Sequence, residues 1–363
     1  MRILQVTSAR AFGGGERHLA DLTRGLVRGG HEVGVVVRAS SGIRARLAAI
    51  HPVQLFELEL RGALDIPNAL KLARLARERQ VDIIHAHVAR DYTVAALAAR
   101  LAPAARLVIT RHVLFPMSRL HRPALSNVSR VIAVSEAVGR ALRAQRIFDP
   151  EKIRTVTNGT DVHRFAAAGA GRPLRQGPGR VGIVGELSEV KDQETFVRAA
   201  ALLVRDSAAS PEFLIVGADN SPSGRYHARL RKLIAELGLS SSARMLGPLN
   251  DDEMPGILSS FDLLVSASRS ESFGIAMAEA MAAGVPVVAT ATEGALEIVE
   301  DGVTGLITPI GDPTALAAAI ASLLRDEDRR LALGARAAAR ARERFSLERM
   351  VEETVRVYRE ALE

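Results

Sequence analysis

SRSESFGIAMAEAMAAGVPVVAT, residues 268–290, follows the apolar run DLLVSA (262–267) and carries two carboxylates, Glu271 and Glu279, eight positions apart. The run before it reads as a buried strand. From about Phe273 to Ala283 the spacing predicts a helix that stops at Gly284, ahead of Pro286, and PVVAT then begins another strand. Strand, helix, strand, with the strands apolar on both faces, is the pattern of a parallel sheet. Eight helical residues rise about 12 Å and bring the second carboxylate to within roughly 80° of the first around the axis. One acid thus stands where the helix begins and the other two turns into it, beyond a strand's carboxyl end, where parallel sheets bind ligands. Carboxylates accept hydrogen bonds from vicinal hydroxyls, and the first turn of a helix offers free N–H groups to an anion. The competing reading of Glu279 is a surface charge or a salt bridge to an arginine.

Outward from this segment the same rhythm fills the chain. RILQV, EVGVVV, VQLFEL, VDIIHAH, RLVIT, RVIAVS and IRTVT alternate with helical stretches from residue 2 to about 157. It restarts with RVGIVG, EFLIVG, ARMLG, DLLVSA, PVVAT and TGLIT. Between the two series, AAAGAGRPLRQGPGR (166–180) is rich in Gly, Pro and Ala and lacks apolar periodicity. The expected organisation is α/β: two Rossmann-like, doubly wound parallel-sheet domains facing each other across a cleft. Their bounds are 1–165 and 181–344, with a linker at 166–180 and a terminal helix at 345–363 that packs back on the first domain. A chain of 363 residues suits two such cores.

Composition removes several classes. The absence of cysteine excludes disulfides and thiolate metal sites. The opening MRILQVTSAR is too short an apolar run for a signal peptide, and no stretch approaches a membrane span, so a cytoplasmic protein is expected. The net charge is +7, but with only four lysines and 44 arginines scattered along the chain it reads as compositional bias. Aromatics are 4%, which disfavours nucleic acid, whereas attraction to an anionic membrane surface stays open.

Two further loops bear on function. Gly13, Gly14 and Gly15 follow the first strand and precede a helix, where glycines let backbone N–H groups approach a ligand. A tight strand-to-helix turn is the alternative. The dinucleotide pattern G-x-G-x-x-G fails because His18 stands where its third glycine belongs, which disfavours an NAD enzyme. In VGIVGELSEVKDQETF, Lys191 opens a helix in a chain that otherwise prefers arginine, making it a candidate compact cation for phosphate, or else a solubilising surface lysine.

ESFGIAMAEAMAAGVPVVAT resembles the E-x(7)-E motif of the family 4 retaining glycosyltransferases, which have the two-lobed GT-B fold. GGGERHLADLTRGL, VDIIHAH, VIAVSEAV, VTNGTDVHRF and GALEIVEDGVTGLI resemble the family's other markers, in family order and over nearly the whole chain. The resemblance implies transfer of a sugar from a nucleotide-diphosphate sugar to an acceptor hydroxyl, with no cofactor and no metal. Glu271 would hold donor-sugar hydroxyls and Glu279 the ribose. Ser272 falls in the same donor loop, and Phe273, Gly274 and Ile275 would supply backbone N–H groups. Lys191 would stabilise the departing diphosphate, Gly14 and Gly15 would face the donor, and His112 would lie near the reacting sugar. The implied partners are a nucleotide sugar and a glycan or lipid-linked acceptor, with peripheral membrane association and a place in cell-surface polysaccharide, lipopolysaccharide or glycolipid synthesis.

Two positions depart from the family pattern. Glu186 replaces the usual phosphate-binding arginine of Gly-Arg-Leu, so that Arg10 or Arg225 would have to substitute, and Asp219 replaces the second glycine of a G-x-G. The rival readings are a nucleotide-sugar epimerase of the same fold, a non-catalytic nucleotide-sugar or glycan-binding protein, and a phosphorylase, for which no pyridoxal-type lysine context is recognisable.

Overall fold

The structure is a computed structural model that describes residues 1–10, 13–62, 65–170, 179–205, 211–221 and 223–363. It divides into two compact units, Met1–Gly159 with Leu347–Glu363, and Thr160–Ser346.

The first unit is built on β1 (Arg2–Val6), β2 (Glu32–Val37), β3 (Gln54–Glu57), β4 (Ile83–Ala86), β5 (Arg106–Arg111), β6 (Val128–Ala133) and β7 (Ile153–Thr155). They form one sheet in the order β3-β2-β1-β4-β5-β6-β7, every pairing parallel. Helices cover both faces, which is why β4 and most of β5 are buried throughout rather than alternating. The terminal helix Leu347–Leu362 belongs to this unit: Leu347, Met350, Val357 and Tyr358 are buried in a cluster with Ile3, Leu22, Val35 and Ile132. It lies so close to the helix Gly14–Arg28 that a Cβ on Gly25 would meet Val351 Cγ2 at 2.3 Å.

The second unit repeats the plan with β8 (Arg180–Val184), β9 (Glu212–Val216), β10 (Ala243–Gly247), β11 (Leu263–Ser266), β12 (Val287–Thr290) and β13 (Gly305–Thr308). The order is β10-β9-β8-β11-β12-β13, again parallel throughout. In each unit the winding reverses beside the first strand, between β1 and β4 and between β8 and β11. That reversal opens a crevice at the strands' carboxyl ends. The doubly wound architecture expected from the apolar runs is therefore present in both halves.

The boundary differs from its compositional placement. The helix Val162–Gly169 goes with the second unit because Val162 and Phe165 are buried in its core with Leu258, Met277 and Met281. Gly169 approaches the chain so closely that a Cβ there would sit 2.3 Å from the Ala283 carbonyl oxygen. Of the proposed linker, residues 171–178 lie outside the described residues. Among the described residues no helix is long and apolar enough to cross a membrane.

Candidate functional site

In the second unit the crevice is assembled from the loops after β8 and β11. Gly185 has φ +156 and Gly217 φ +148, backbone that favours glycine, and a Cβ on Gly217 would sit 1.8 Å from the Gly185 carbonyl oxygen. The aliphatic stem of Lys191 lies over Gly185, 3.7 Å from where its Cβ would be. The lysine loop is knit internally: the N–H groups of Lys191 and Asp192 donate to the Ser188 hydroxyl and carbonyl, and Gln193 Nε2 donates to the Glu186 carbonyl at 2.9 Å. Asp192, buried and at φ +47, accepts from the N–H and hydroxyl of Thr195 and so opens the helix Gln193–Arg205.

The β11 loop is tied to this one. The Arg269 N–H donates to the Val190 carbonyl at 2.8 Å, and its guanidinium pairs with Asp192 at 2.9 Å. Lys191 Nζ is ion-paired with Glu271 Oε2, which brings together two candidates 80 residues apart in the chain. The Glu271 carbonyl accepts from Gly294 N–H at 3.0 Å, and a Cβ on Gly294 would sit 2.7 Å from it, so the helix Glu293–Ile298 braces the loop from the far side.

Gly274 then turns the chain at φ +106, and the helix runs Ile275–Ala282, two residues later in starting than the sequence spacing indicates. The first internal bond runs from the Met277 N–H to the Gly274 carbonyl at 3.0 Å, and the amides before it lie at the positive end of the helix dipole. Phe273 buries its ring edge-on to Phe345, 5.6 Å between centroids, so only its backbone is left for a ligand. Ser272 is half-buried in the same loop. Glu279 is 2% exposed and lies among Ala278, Ala280 and Met281, all buried, which removes the surface-charge reading.

Glu186 is exposed and its side chain stands outside the paired groups described above. Arg225, also exposed, donates to Ser223. Asp219 has a structural role: it accepts from the N–H groups of Ser221 and His227, capping the helix Arg225–Glu236, whose own cap, Gly224, has no side chain. Hydrogen bonds from Ser221 and from His227 hold its carboxyl at about 2.

In the first unit the crevice between β1 and β4 is lined by imidazoles. His112, after β5, packs against the glycine loop: a Cβ on Gly15 would sit 3.6 Å from its Cγ. Gly14 is exposed beside it. His112 is joined by His18 and His87, with ring centroids 4.8 and 5.7 Å away. Nitrogens of the three all lie within 4.8 Å of one another, a set that could hold a metal ion. His85 stands behind, between Tyr358 Oη at 2.6 Å and Thr110 Oγ1 at 2.7 Å. His87 Nε2 is 2.5 Å from Gln5 Oε1. The two His18 nitrogens have no hydrogen-bond partner of good geometry among the described residues. The isolated reading of His112 thus missed a cluster whose only sequence trace is the H-x-H alternation at the end of β4 and a histidine one turn into the first helix.

Burial pushes His85, His87 and His112 well below the ordinary imidazole value, with neighbouring imidazoles adding to it. His18 falls to about 4 through burial, with Asn158 opposing slightly. All four are neutral at neutral pH. Unfolded histidines take up protons below about pH 6.5, whereas folded His18 resists until about 4. Over that window the unfolded chain holds more protons, so stability falls as pH is lowered. Burial raises Asp91 to about 6 and also raises Glu16, which works in the opposite direction, but two carboxyls face four imidazoles. The melting temperature is therefore expected to drop steadily from pH 7 to pH 5. Replacing His18 with asparagine or leucine should flatten the slope.

The doubly wound fold fixes where a ligand would sit but not what it is, and comparison with known proteins supplies the class. Residues 170–340 match the family described as Glycosyl transferases group 1, and residues 12–164 match Glycosyltransferase Family 4. The D-inositol 3-phosphate glycosyltransferase of Kineococcus radiotolerans is 30% identical over 404 aligned positions, covering 97% of this chain and 91% of that protein. The enzyme of the same name from Salinispora tropica is 33% identical over 306 positions, 79% of this chain, and the match spans 61% of its length. Among solved structures, Anabaena Alr3699/HepE in complex with UDP-glucose superposes with a TM-score of 0.84 at 27% identity, covering 98% of each chain. The chain belongs to the family 4 (group 1) glycosyltransferases, with their GT-B type of fold.

Proposed function

We propose that this protein is a retaining, metal-independent hexosyltransferase that moves a sugar from a nucleotide-diphosphate donor, a uridine one as in the Anabaena complex, to the hydroxyl of a glycan or lipid-linked acceptor. The observation that carries the reading is the Lys191–Glu271 pair at the β8/β11 switch point, beside the opening of the helix Ile275–Ala282. Lys191 and the amides of Phe273, Gly274 and Ile275 receive the diphosphate, Glu279 the ribose hydroxyls, and Glu271, once released by the lysine, the sugar hydroxyls. Gly14, Gly15 and His112 are the first unit's ligand-facing group.

In the reaction the bond from the anomeric carbon to the phosphate oxygen breaks and the acceptor oxygen bonds to that carbon. The acceptor proton passes to the leaving diphosphate. The cost is the charge that collects on the diphosphate, and an ammonium with preorganised amides supports it without reorganising. The same role could be given to a cation, so metal independence is a testable part of the proposal. The reading places the protein in the cytoplasm at the inner face of the membrane, in cell-surface glycan or glycolipid synthesis.

Incubation with a panel of nucleotide sugars and acceptors, followed by proton NMR of the product, tests this. The expected product keeps the donor's anomeric configuration and forms equally in the presence of a chelator. An inverted product, a chelator-sensitive rate, or an epimerised donor without transfer would each contradict it.

A further inference from the structure

His18, His87 and His112 converge from three parts of the first unit: the helix Gly14–Arg28, the residue after β4 and the residue after β5. Packing alone does not call for imidazoles here, since leucine or phenylalanine would fill such space without burying polar nitrogens. The protein satisfies only some of these nitrogens. His85, behind the three, has both engaged, by Tyr358 Oη and Thr110 Oγ1. His87 has Nε2 on Gln5 Oε1, which leaves Nδ1 turned to His112. His18 is 2% exposed, and neither of its nitrogens has a hydrogen-bond partner of good geometry among the described residues. A buried polar nitrogen in that position is uncommon in a folded protein and points to a ligand.

The spacing suits a metal. Zinc–imidazole bonds of about 2.0–2.1 Å at tetrahedral angles set two nitrogens about 3.4 Å apart. His87 Nδ1 and His112 Nε2 already stand at 3.5 Å. The third nitrogen lies within 4.8 Å of them, and no hydrogen bond of good geometry has to break for the His18 ring to close the rest. Orientation is supplied as well. Gln5 Oε1 can only accept, so the His87 proton sits on Nε2 and Nδ1 presents its lone pair to the cluster. An outer partner of this kind, fixing tautomer and ring direction, is what metal-binding histidines ordinarily have. The set holds no carboxylate, which disfavours Mg2+ and Ca2+, whereas imidazole suits zinc. His112 is half-buried beside the exposed Gly14, so the cluster has a side open to solvent, and three imidazoles leave zinc's fourth position for water.

The geometry points to a transition-metal site of the zinc type on His18, His87 and His112, whose occupation silences the enzyme. The silencing rests on the proposed function, in which His112 faces the ligand and a metal on its ring takes it away; the binding does not. The chain freed of metal is then the active form, in keeping with a reaction that needs none. Calorimetric titration of the tag-free, metal-free full chain with Zn2+, alongside the visible absorption of the Co2+ form, reads the site directly. The wild-type chain is expected to take up one equivalent of Zn2+, undisturbed by excess Mg2+, and to give the intense absorption of four-coordinate Co2+. His18→Leu and His112→Gln should each weaken Zn2+ binding by at least about a hundredfold, and Gln5→Leu by about tenfold to a hundredfold as His87 loses its orientation. His163→Gln, at an exposed histidine of the second unit, should change nothing. Should His18→Leu fail to fold, His112→Gln carries the same test from a half-buried position. Transfer should stop with one equivalent of Zn2+ and return with a chelator.

No Zn2+ bound by the wild-type chain, its displacement by Mg2+, or undiminished binding by His18→Leu and His112→Gln would overturn the site, and full transfer with Zn2+ bound would overturn the silencing. If transfer fails with every donor while Zn2+ binding and its loss in the variants persist, the reaction assignment fails and the metal site stands. If transfer succeeds and Zn2+ does not bind, the reverse holds.

Discussion

Replacing Lys191 with alanine is expected to lower turnover by about a hundredfold or more, the size seen when a preorganised charge-stabilising donor is lost. On the proposed reading, Lys191 is the ammonium that meets the charge the diphosphate gathers as its bond to the sugar breaks. The Lys191 stem packs over Gly185 and its head meets Glu271, so the side chain is already at the switch point before a ligand arrives. The donor KM should change less than kcat, because the interaction strengthens as charge develops. Arginine should restore little, since its planar fork is bulkier than an ammonium and has to fit over the same glycine. The stability cost is small: the lysine is about a third exposed, and a pair of that kind contributes little to folding. A purified, folded Lys191→Ala enzyme with a near-normal rate would remove the lysine from the reaction.

Glu279→Gln should act on the other kinetic constant. A charge-assisted hydrogen bond contributes about 1.5–3 kcal/mol, so losing it raises the donor KM by roughly tenfold to a hundredfold with kcat changed much less. Glutamine nearly preserves the volume, which matters at a site 2% exposed among alanines and a methionine, where truncation would also leave a cavity. Calorimetric titration with the free nucleoside diphosphate separates the two roles: Glu279→Gln should weaken it and Glu271→Gln should leave it nearly unchanged. Equal weakening by both would mean that the two carboxylates do not divide ribose from sugar.

Much of the architecture was readable because a strand covered on both faces is a near-continuous apolar run. RILQV, VDIIHAH and DLLVSA became β1, β4 and β11 for that reason. Composition was a poorer guide to the boundary: the Gly- and Pro-rich stretch begins at 166, yet Val162 and Phe165 before it are anchored in the second unit, and burial decides membership. The helix after β11 starts late because Gly274, at φ +106, ends the loop there, and backbone sign is not written in side-chain periodicity. The candidate residues could be named one by one from the sequence, but not the contacts between them. Lys191 with Glu271 and Asp192 with Arg269 join loops about 80 residues apart, and nothing local signals that pairing. His18 read as a missing glycine; in the fold it is one of four neutral imidazoles packed together, mostly tilted or edge-on, at the end of the first sheet. Asp219, a departure by pattern, is a helix cap by geometry.

The central claim is that the second unit's switch point holds an activated sugar end to end. A crystal structure of the chain with an unhydrolysed uridine diphosphate sugar tests it most directly. The account predicts the diphosphate on Lys191 and the amides of 273–275, the ribose on Glu279, and Glu271 parted from the lysine and turned to the sugar. A donor bound away from β8 and β11, or one bound there with the Lys191–Glu271 pair still closed, would contradict it.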